Sequence, residues 1–143
     1  MNRLLKLLAV FLLLIPMITS AQLFKKKVNR VNENGNRKGL WISYWNEKDK
    51  TLQTKYYYKD GHETRVCKNY YGDGEIRLKF RYYGERIRVK YFDEERKITH
   101  KGWAKWELTE KDLNYYWDGK WKFYDENQKL IKVEMWKKGV VLN

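Results

Sequence analysis

Short segments rich in Tyr, Trp, Val and Ile follow one another along the chain after Ala21, a composition that suits β-strands. Pairs that favour tight turns separate these segments, because Gly, Asn and Asp tolerate positive φ. The turn pairs are Asn34-Gly35, Asp60-Gly61, Asp73-Gly74 and Asp118-Gly119, with Tyr83-Gly84 and Lys138-Gly139 as weaker ones. No segment there keeps a long apolar period of 3.6 residues. The pattern predicts an all-β fold, an antiparallel meander of stacked β-hairpins with about eight to ten strands.

One hairpin can be predicted in detail, because apolar and basic residues alternate strictly over residues 76–81 and 87–91. A two-residue loop at Tyr83-Gly84 places the apolar side chains on one side of the hairpin and the basic ones on the other. On the apolar side, Phe80 faces Ile87, Leu78 faces Val89 and Ile76 faces Tyr91. On the basic side, Arg81 faces Arg86, Lys79 faces Arg88 and Arg77 faces Lys90.

The basic side of this hairpin has two interpretations. Like charges directly opposite each other destabilise a hairpin. One interpretation is a solvated face, relieved by salt and by nearby acids such as Asp93 and Glu94. The other is a docking surface for a polyanion or an acidic protein.

A degenerate internal repeat runs through the chain. The first copy is Gly39, Trp41, Tyr44, Leu52, Tyr58, Gly61, and the last copy is Gly119, Trp121, Tyr124, Leu130, Trp136, Gly139. Two worn copies lie between them, and residues 100–117, approximately, are an insertion outside the repeat rhythm. This pattern resembles the bacterial variant of the MORN repeat. The resemblance implies stacked hairpins in an elongated, curved sheet, in proteins that are often exported or associated with the envelope, and it carries no catalytic residues.

The segment 1–21 has the features of a secretory signal peptide. Arg3 and Lys6 precede an apolar run over residues 7–15, and Pro16 follows it. Small residues before Gln22 suit cleavage after Ala21, with an uncleaved anchor as the alternative. The apolar run is shorter than the roughly 20 residues of a membrane span, which favours the cleaved signal. We therefore expect a signal peptide over 1–21 and one MORN-like β-repeat domain over 22–143. The expected location is the periplasm, the cell surface or the medium, with no transmembrane span in the mature chain.

Composition narrows the class of protein. The 143 residues include seven Trp, twelve Tyr, one Pro and one Cys, and the formal net charge is +13. Nine Gly and one Pro exclude a collagen-like chain, and a single Cys excludes a disulfide-stapled miniprotein. A mean hydropathy of −0.87 with one apolar stretch excludes a polytopic membrane protein. Cleavage after Ala21 leaves 29 basic and 18 acidic residues. The single Cys67 is interpreted as a half-buried strand residue, with intermolecular pairing as the alternative.

Residue types that carry catalysis are sparse. Ser43 is the only serine after the predicted signal peptide, and no His or acid forms a recognisable motif with it. His62 and Cys67 supply two possible metal ligands, which make no site. The acids at 93–95 and 125–126 suggest the carboxylate pair of a glycosidase, but they fall at predicted turns, where solvated acids are common. We expect no enzymatic activity, no cofactor and no metal.

The insertion carries Trp103, Trp106 and Trp117, together with Tyr115 and Tyr116. These rings either cap the end of the sheet or stack on a sugar or anchor a protein partner. The leading hypothesis is an exported, non-enzymatic protein-interaction or scaffolding module of the cell envelope, with an unknown protein partner.

The alternative is an electrostatic binder of anionic envelope components, namely lipopolysaccharide, another anionic polysaccharide or phospholipid head groups. The export signal argues against a nucleic acid ligand. The candidate binding residues for either function are Arg77, Lys79, Arg81, Arg86, Arg88, Lys90, Trp103, Trp106 and Trp117.

Overall fold

The computed structural model describes residues 27–108 and 113–142. The prediction of an all-β fold is confirmed: the described residues form one open antiparallel sheet of consecutive hairpins, and none of them lies in a helix. The predicted signal peptide lies outside the described residues. Within the described ranges, no helix is long and apolar enough to cross a membrane.

The described residues contribute eleven strands to the sheet, slightly more than predicted. They are β1 (Arg30–Val31), β2 (Arg37–Asn46), β3 (Thr51–Lys59), β4 (His62–Tyr70), β5 (Ile76–Tyr83), β6 (Arg86–Phe92), β7 (Ile98–Leu108), β8 (Leu113–Trp117), β9 (Gly119–Tyr124), β10 (Leu130–Lys137) and β11 (Val140–Leu142). Strands β1 to β7 are neighbours in chain order, and β9 to β11 continue the sheet beyond β7.

Strands β8 and β9 lie end to end along β7, and the expected insertion at 100–117 forms most of β7 and all of β8. The prediction of a hairpin turn at Asp118-Gly119 is wrong. These residues form a bulge between two strands that pair with the same neighbour, and the Asp118 amide donates to the Trp103 carbonyl at 2.9 Å. Gly119 absorbs the distortion at a φ of 106°. A glycine at positive φ therefore bends a strand here instead of reversing it.

Four connections share one five-residue turn. In each, the amide of the first residue donates to the carbonyl of the fifth, and the amide of the fourth donates to the carbonyl of the first. The fourth residue has positive φ each time. The turns are 32–36, 71–75, 93–97 and 125–129. Asp93 and Asp125 open two of them, and each carboxylate accepts the amide of its own turn's fifth residue at 2.8 Å. These two acids hold turns together, as their positions in the sequence suggested.

The β5–β6 hairpin keeps the predicted faces but not the predicted pairs. Phe80 pairs with Val89, and Lys79 pairs with Lys90, two residues away from the expected register. The loop is Gly84-Glu85 instead of Tyr83-Gly84, and Gly84 alone takes positive φ, at 63°. This arrangement spares Tyr83 a positive φ, which is unfavourable for a bulky residue. A shift of two residues returns every side chain to the same face, so the separation of apolar from basic side chains survives.

The first and last repeat copies adopt the same geometry. Gly39 pairs with Tyr58 across β2 and β3, and Gly119 pairs with Trp136 across β9 and β10. The tryptophan two positions after each glycine donates its ring N–H to a carbonyl of the neighbouring strand, at 3.0 Å in the first copy and 2.7 Å in the last. The internal repeat therefore corresponds to a structural repeat of one hairpin.

One face of the sheet, here called the aromatic face, carries the core. Trp121 and Ile87 are fully buried there. The ring of Trp121 stacks on Trp117, with 3.6 Å between ring centroids. Gly102 lies beneath Trp121, where an added Cβ would come within 2.3 Å of the indole. Other members of this face are Tyr56, Tyr58, Glu63, Cys67, Phe80, Tyr82, Val89, Tyr91, His100 and Ala104.

Candidate functional site: a lysine ladder on the basic face

Six lysines stand directly opposite one another on six adjacent strands, from β3 to β7 and then β9. In spatial order they are Lys55, Lys68, Lys79, Lys90, Lys101 and Lys122. Neighbouring strands in a sheet are about 4.8 Å apart, so this lysine ladder extends roughly 24 Å across the strands. It occupies the face opposite the core, here called the basic face.

The ladder concentrates positive charge. The one aromatic partner among the described contacts of its lysines is Tyr124, whose ring centre lies 4.7 Å from the Lys101 ammonium. No carboxylate among the described residues forms a salt bridge with any of the six lysines. All but Lys122 are half-buried by their neighbours. Burial lowers the pKa of Lys68, and the charges of Lys79 and Lys55 lower it further. Since directly opposed like charges are destabilising, the ladder works against the stability of the sheet that carries it.

Arginines and one tryptophan extend the ladder into a wider surface. Arg81 pairs with Arg88, and Arg88 pairs with Trp103. The guanidinium of Arg86 lies 4.3 Å from the centre of a Trp103 ring, and that of Arg88 lies 5.3 Å from it. A groove of about 270 Å³ runs between Lys79, Arg81, Arg88 and neighbouring residues. The groove offers an anion several N–H donors and a positive field.

The structure brings most of the predicted binding residues together. Seven of the nine lie on the basic face: Arg77, Lys79, Arg81, Arg86, Arg88, Lys90 and Trp103. The other two, Trp106 and Trp117, lie on the aromatic face. Side chains alternate along β7, so Trp106 points to the face away from Trp103, and Trp117 of β8 pairs with Ala104 on that same face. Trp106 stacks on His62 and donates to the Gly84 carbonyl at 3.2 Å. Trp117 packs on Trp121 in the core. These two indoles therefore pack within the fold and do not join the candidate surface.

Sequence reasoning missed four members of the ladder, which are Lys55, Lys68, Lys101 and Lys122. A signal for two of them exists, since lysine recurs at a constant interval at positions 68, 79, 90 and 101. The spacing between these lysines equals the length of one strand plus one turn. Each lysine therefore lies directly across from the previous one on the neighbouring strand. The bulge within β4 and the extended β7–β8 segment change the interval at the two ends of the ladder, which hides the other two lysines.

The basic face ends in an exposed apolar strip on β10 and β11. Lys122, the last lysine of the ladder, pairs with Val133, and Met135 pairs with Leu142. The exposed apolar residues of β10 and β11 on this face include Val133, Met135, Val140 and Leu142, whereas Val141 pairs with Trp136 and lies on the aromatic face. Positive charge and apolar surface thus adjoin on one side of the sheet.

The other residues considered for catalysis or metal binding, Cys67 and His62, pack against neighbouring side chains. Cys67 is fully buried on the aromatic face, and burial raises the pKa of its thiol to about 11. A protonated, buried thiol is a poor nucleophile, which disfavours the alternative of intermolecular pairing. His62 lies against Trp106. In the part of the chain that the structure describes, no group of three or more His, Cys, Asp or Glu side chains is placed to hold a metal ion.

Comparisons of the chain with protein-family models, with curated proteins and with solved structures give no match.

Proposed function

We propose that this protein is an exported, non-enzymatic binding module that docks through its basic face on an anionic component of the cell envelope. The ligand chemistry is a surface bearing phosphate groups, as in phospholipid head groups or lipopolysaccharide. The observation that carries this proposal is the lysine ladder, six ammonium groups in one row without a described carboxylate partner.

The energetic argument starts from the unfavourable placement of these charges. A row of opposed lysines contributes nothing to the core and destabilises each pair of strands it crosses. An anionic surface relieves this repulsion on binding, and each lysine close to such a surface contributes about 1 kcal/mol. Four lysines together correspond to roughly 10²–10³-fold in affinity at low ionic strength.

Co-sedimentation of the purified protein with phosphatidylglycerol-containing vesicles tests the proposal, with neutral phosphatidylcholine vesicles as the baseline. We expect binding to the anionic vesicles that weakens steeply with salt, since the Debye length shortens from about 10 Å at 0.1 M to 3 Å at 1 M. A ladder variant with Lys68, Lys79, Lys90 and Lys101 changed to Gln is expected to lose roughly 10²–10³-fold in affinity.

The matched control removes the same charge from the turns. In the control variant, Lys48, Lys50, Lys129 and Lys138, which lie outside the strands, are changed to Gln. The control is expected to retain most of the binding. Equal losses in both variants would show that net charge alone matters, and salt-insensitive binding would contradict an electrostatic interface.

The second candidate function is a protein-interaction or scaffolding module, and the exposed apolar strip on β10 and β11 favours it. Contiguous exposed apolar surface is typical of protein interfaces. Capture from an envelope extract at low and high salt separates the two functions. A defined protein that stays bound at high salt, and is lost when Val133 and Met135 are changed to Ser, would favour this candidate. Membership of the MORN-like family and export through a cleaved signal peptide belong to both proposals.

A further inference from the structure

A second concave site lies on the aromatic face, opposite the lysine ladder. Its volume is about 340 Å³, within the range of small-ligand pockets. Aromatic rings from β3, β5 and β8 form most of its wall, and one carboxylate lies among them. The residues used below are Tyr56, Phe80, Tyr82, Tyr115, Trp117 and Glu63.

The charge of this site is opposite to that of the rest of the molecule. The chain carries 31 Lys plus Arg, yet none of them is among the described residues that line the cavity. Glu63 is the one carboxylate in the described lining. The π faces of aromatic rings also carry negative charge density. The cavity is therefore an electronegative, largely apolar site within a basic protein.

Hydrogen bonds hold the Glu63 carboxylate in the site. The Tyr115 hydroxyl donates to Glu63 Oε2 at 2.7 Å, and Tyr82 is hydrogen-bonded to Tyr115 in turn. Burial and the Glu63 charge both raise the pKa of Tyr115 and of Tyr82. These phenols stay neutral near physiological pH. The Tyr58 hydroxyl also donates to Glu63 Oε1 at 3.4 Å, and it accepts a hydrogen bond from the Arg37 guanidinium. No Lys or Arg among the described residues forms a salt bridge with Glu63 itself.

The same face already holds one cation over aromatic rings. The Arg37 guanidinium lies 4.7 Å from the centre of a Trp41 ring and 5.3 Å from that of Tyr58, and it donates to the Tyr58 hydroxyl at 3.1 Å. Arg37 occupies the site over Trp41 and Tyr58, and it is not among the residues that line the cavity. The aromatic surface is thus able to receive cations, and the adjoining cavity repeats the arrangement without a cation of its own from the described residues.

We propose that this cavity binds a small organic cation of the trimethylammonium class, with Glu63 as its counter-charge and the surrounding rings as its cation–π partners. Quaternary ammonium groups are recognised by such aromatic cages because they combine a charge with a weakly hydrated apolar surface. The cage lies on the face opposite the lysine ladder, so this function does not depend on the proposed docking of the basic face.

Isothermal titration with choline and with its uncharged isostere, 3,3-dimethylbutan-1-ol, tests the proposal on the purified protein. We expect choline to bind at least tenfold more tightly than the isostere, because the two differ in charge and hardly in shape. In Glu63→Gln this preference is expected to fall to about twofold or less, while binding of the isostere stays the same. Equal affinity of the wild type for both compounds, or no saturable choline binding, would overturn the proposal.

Two further variants separate the cage from general effects on folding. Tyr115→Leu removes a ring from a half-exposed position, so the fold is expected to tolerate it while choline affinity falls about fivefold to tenfold. Glu75→Gln removes a carboxylate from a turn outside the cavity and is expected to leave choline binding unchanged. If Glu75→Gln weakens choline as much as Glu63→Gln does, the site assignment is wrong.

The source of the ammonium group is distinguished with phosphatidylcholine vesicles, which carry the same group on a lipid. Pelleting with these vesicles that free choline reverses identifies a lipid head group as the ligand. Retention in the supernatant together with choline binding identifies a soluble compound. The ladder variant is expected to bind choline like the wild type in either case, which keeps this result independent of the basic face.

Discussion

The two faces of the sheet are built by the same strands and the same registers, yet they do different physical work. Phe80 pairs with Val89 on the aromatic face, and one residue away Lys79 pairs with Lys90 on the basic face. The first pair is part of the apolar packing, whereas the second is a like-charge contact that opposes strand pairing. Packing on the aromatic face therefore offsets the charge repulsion on the basic face. The chain keeps a charge pattern that lowers the stability of its own fold.

The largest expected difference between the faces comes from removing one tryptophan on each. Trp121→Ala removes a fully buried ring and its 2.7 Å hydrogen bond to the Trp103 carbonyl, and we expect a loss of about 3–5 kcal/mol in the free energy of unfolding. Trp103→Ala on the basic face is expected to cost about 1 kcal/mol or less, since it removes partly exposed cation–π contacts. Urea denaturation measures both, and similar losses would show that the core does not lie on one face.

The second prediction concerns alkaline pH. The thiol of Cys67 has a pKa of about 11 when folded and close to its ordinary value of 9.0 when unfolded. The protonated thiol thus favours the folded state up to about pH 9, and this contribution is lost as the pH rises towards 11. The expected loss by pH 10 is about 1 kcal/mol. Unfolding of the wild type and of Cys67→Ala between pH 8 and 10 measures it, and parallel pH profiles would contradict the assignment.

The third prediction concerns the ladder. Because each interior lysine has two lysine neighbours, Lys79→Gln is expected to stabilise the protein by about 0.5–1 kcal/mol at low salt. The gain is expected to shrink in high salt, where screening already relieves the wild type. Thermal unfolding at two salt concentrations measures the effect. A stability decrease in Lys79→Gln at low salt would mean that the lysine stem contributes more by packing than its charge costs.

The fourth prediction follows one ladder charge directly. The folded-state pKa of Lys68 is lower than usual, so charged Lys68 disfavours the fold, and the penalty disappears as the pH rises through that pKa towards 10.5. Removing the Lys79 charge with Lys79→Gln is expected to raise the pKa of Lys68 towards its ordinary value. NMR titration of the Lys68 side chain measures this shift. A pKa unchanged by the substitution would attribute the effect to burial alone.

The last prediction concerns the turns, which connect strands that carry both faces. Gly74 and Arg96 occupy the same turn position with positive φ, 90° and 68°. Gly74→Ala is expected to destabilise by about 1 kcal/mol, because open space surrounds this glycine and only the backbone conformation resists a side chain. Arg96→Gly relieves the equivalent backbone strain but removes the exposed ion pair with Glu75, so its expected effect lies within about 0.5 kcal/mol of zero. Denaturation curves compare the two, and an equal loss of stability in both would contradict a shared turn.

The fold could be predicted from sequence because its signals are local. Alternation gives the faces of each strand, and the Asp-Gly and Asn-Gly pairs mark most of the turns. Asp118-Gly119 carried the same signal and became a bulge, since the strand on the far side pairs with the same neighbour, β7. Whether the chain reverses direction or continues after such a pair depends on which strand the next segment pairs with. That pairing is long-range, so the two residues at the turn do not determine it.

The candidate sites were less accessible to sequence reasoning. The basic hairpin could be identified from alternation, but the ladder required registers across six strands, and the predicted register of its central hairpin was two residues off. Trp106 and Trp117 were grouped with Trp103 by proximity in the chain, whereas alternation separates their faces. The cavity around Glu63 was missed because Tyr115 reaches it from a distant part of the chain, a contact created by the path of β8.

The constant spacing of the lysines at 68, 79, 90 and 101 has a consequence for how such a protein changes over generations. Duplicating or deleting one hairpin, the span that leads from Lys68 to Lys90, preserves the register on both sides and adds or removes two lysines from the row. The number of lysines in the row is then set by the number of hairpins, and one duplication or deletion changes it by two without a change in the core. If the basic face binds an anionic surface as proposed, the length of the repeat region would set the affinity.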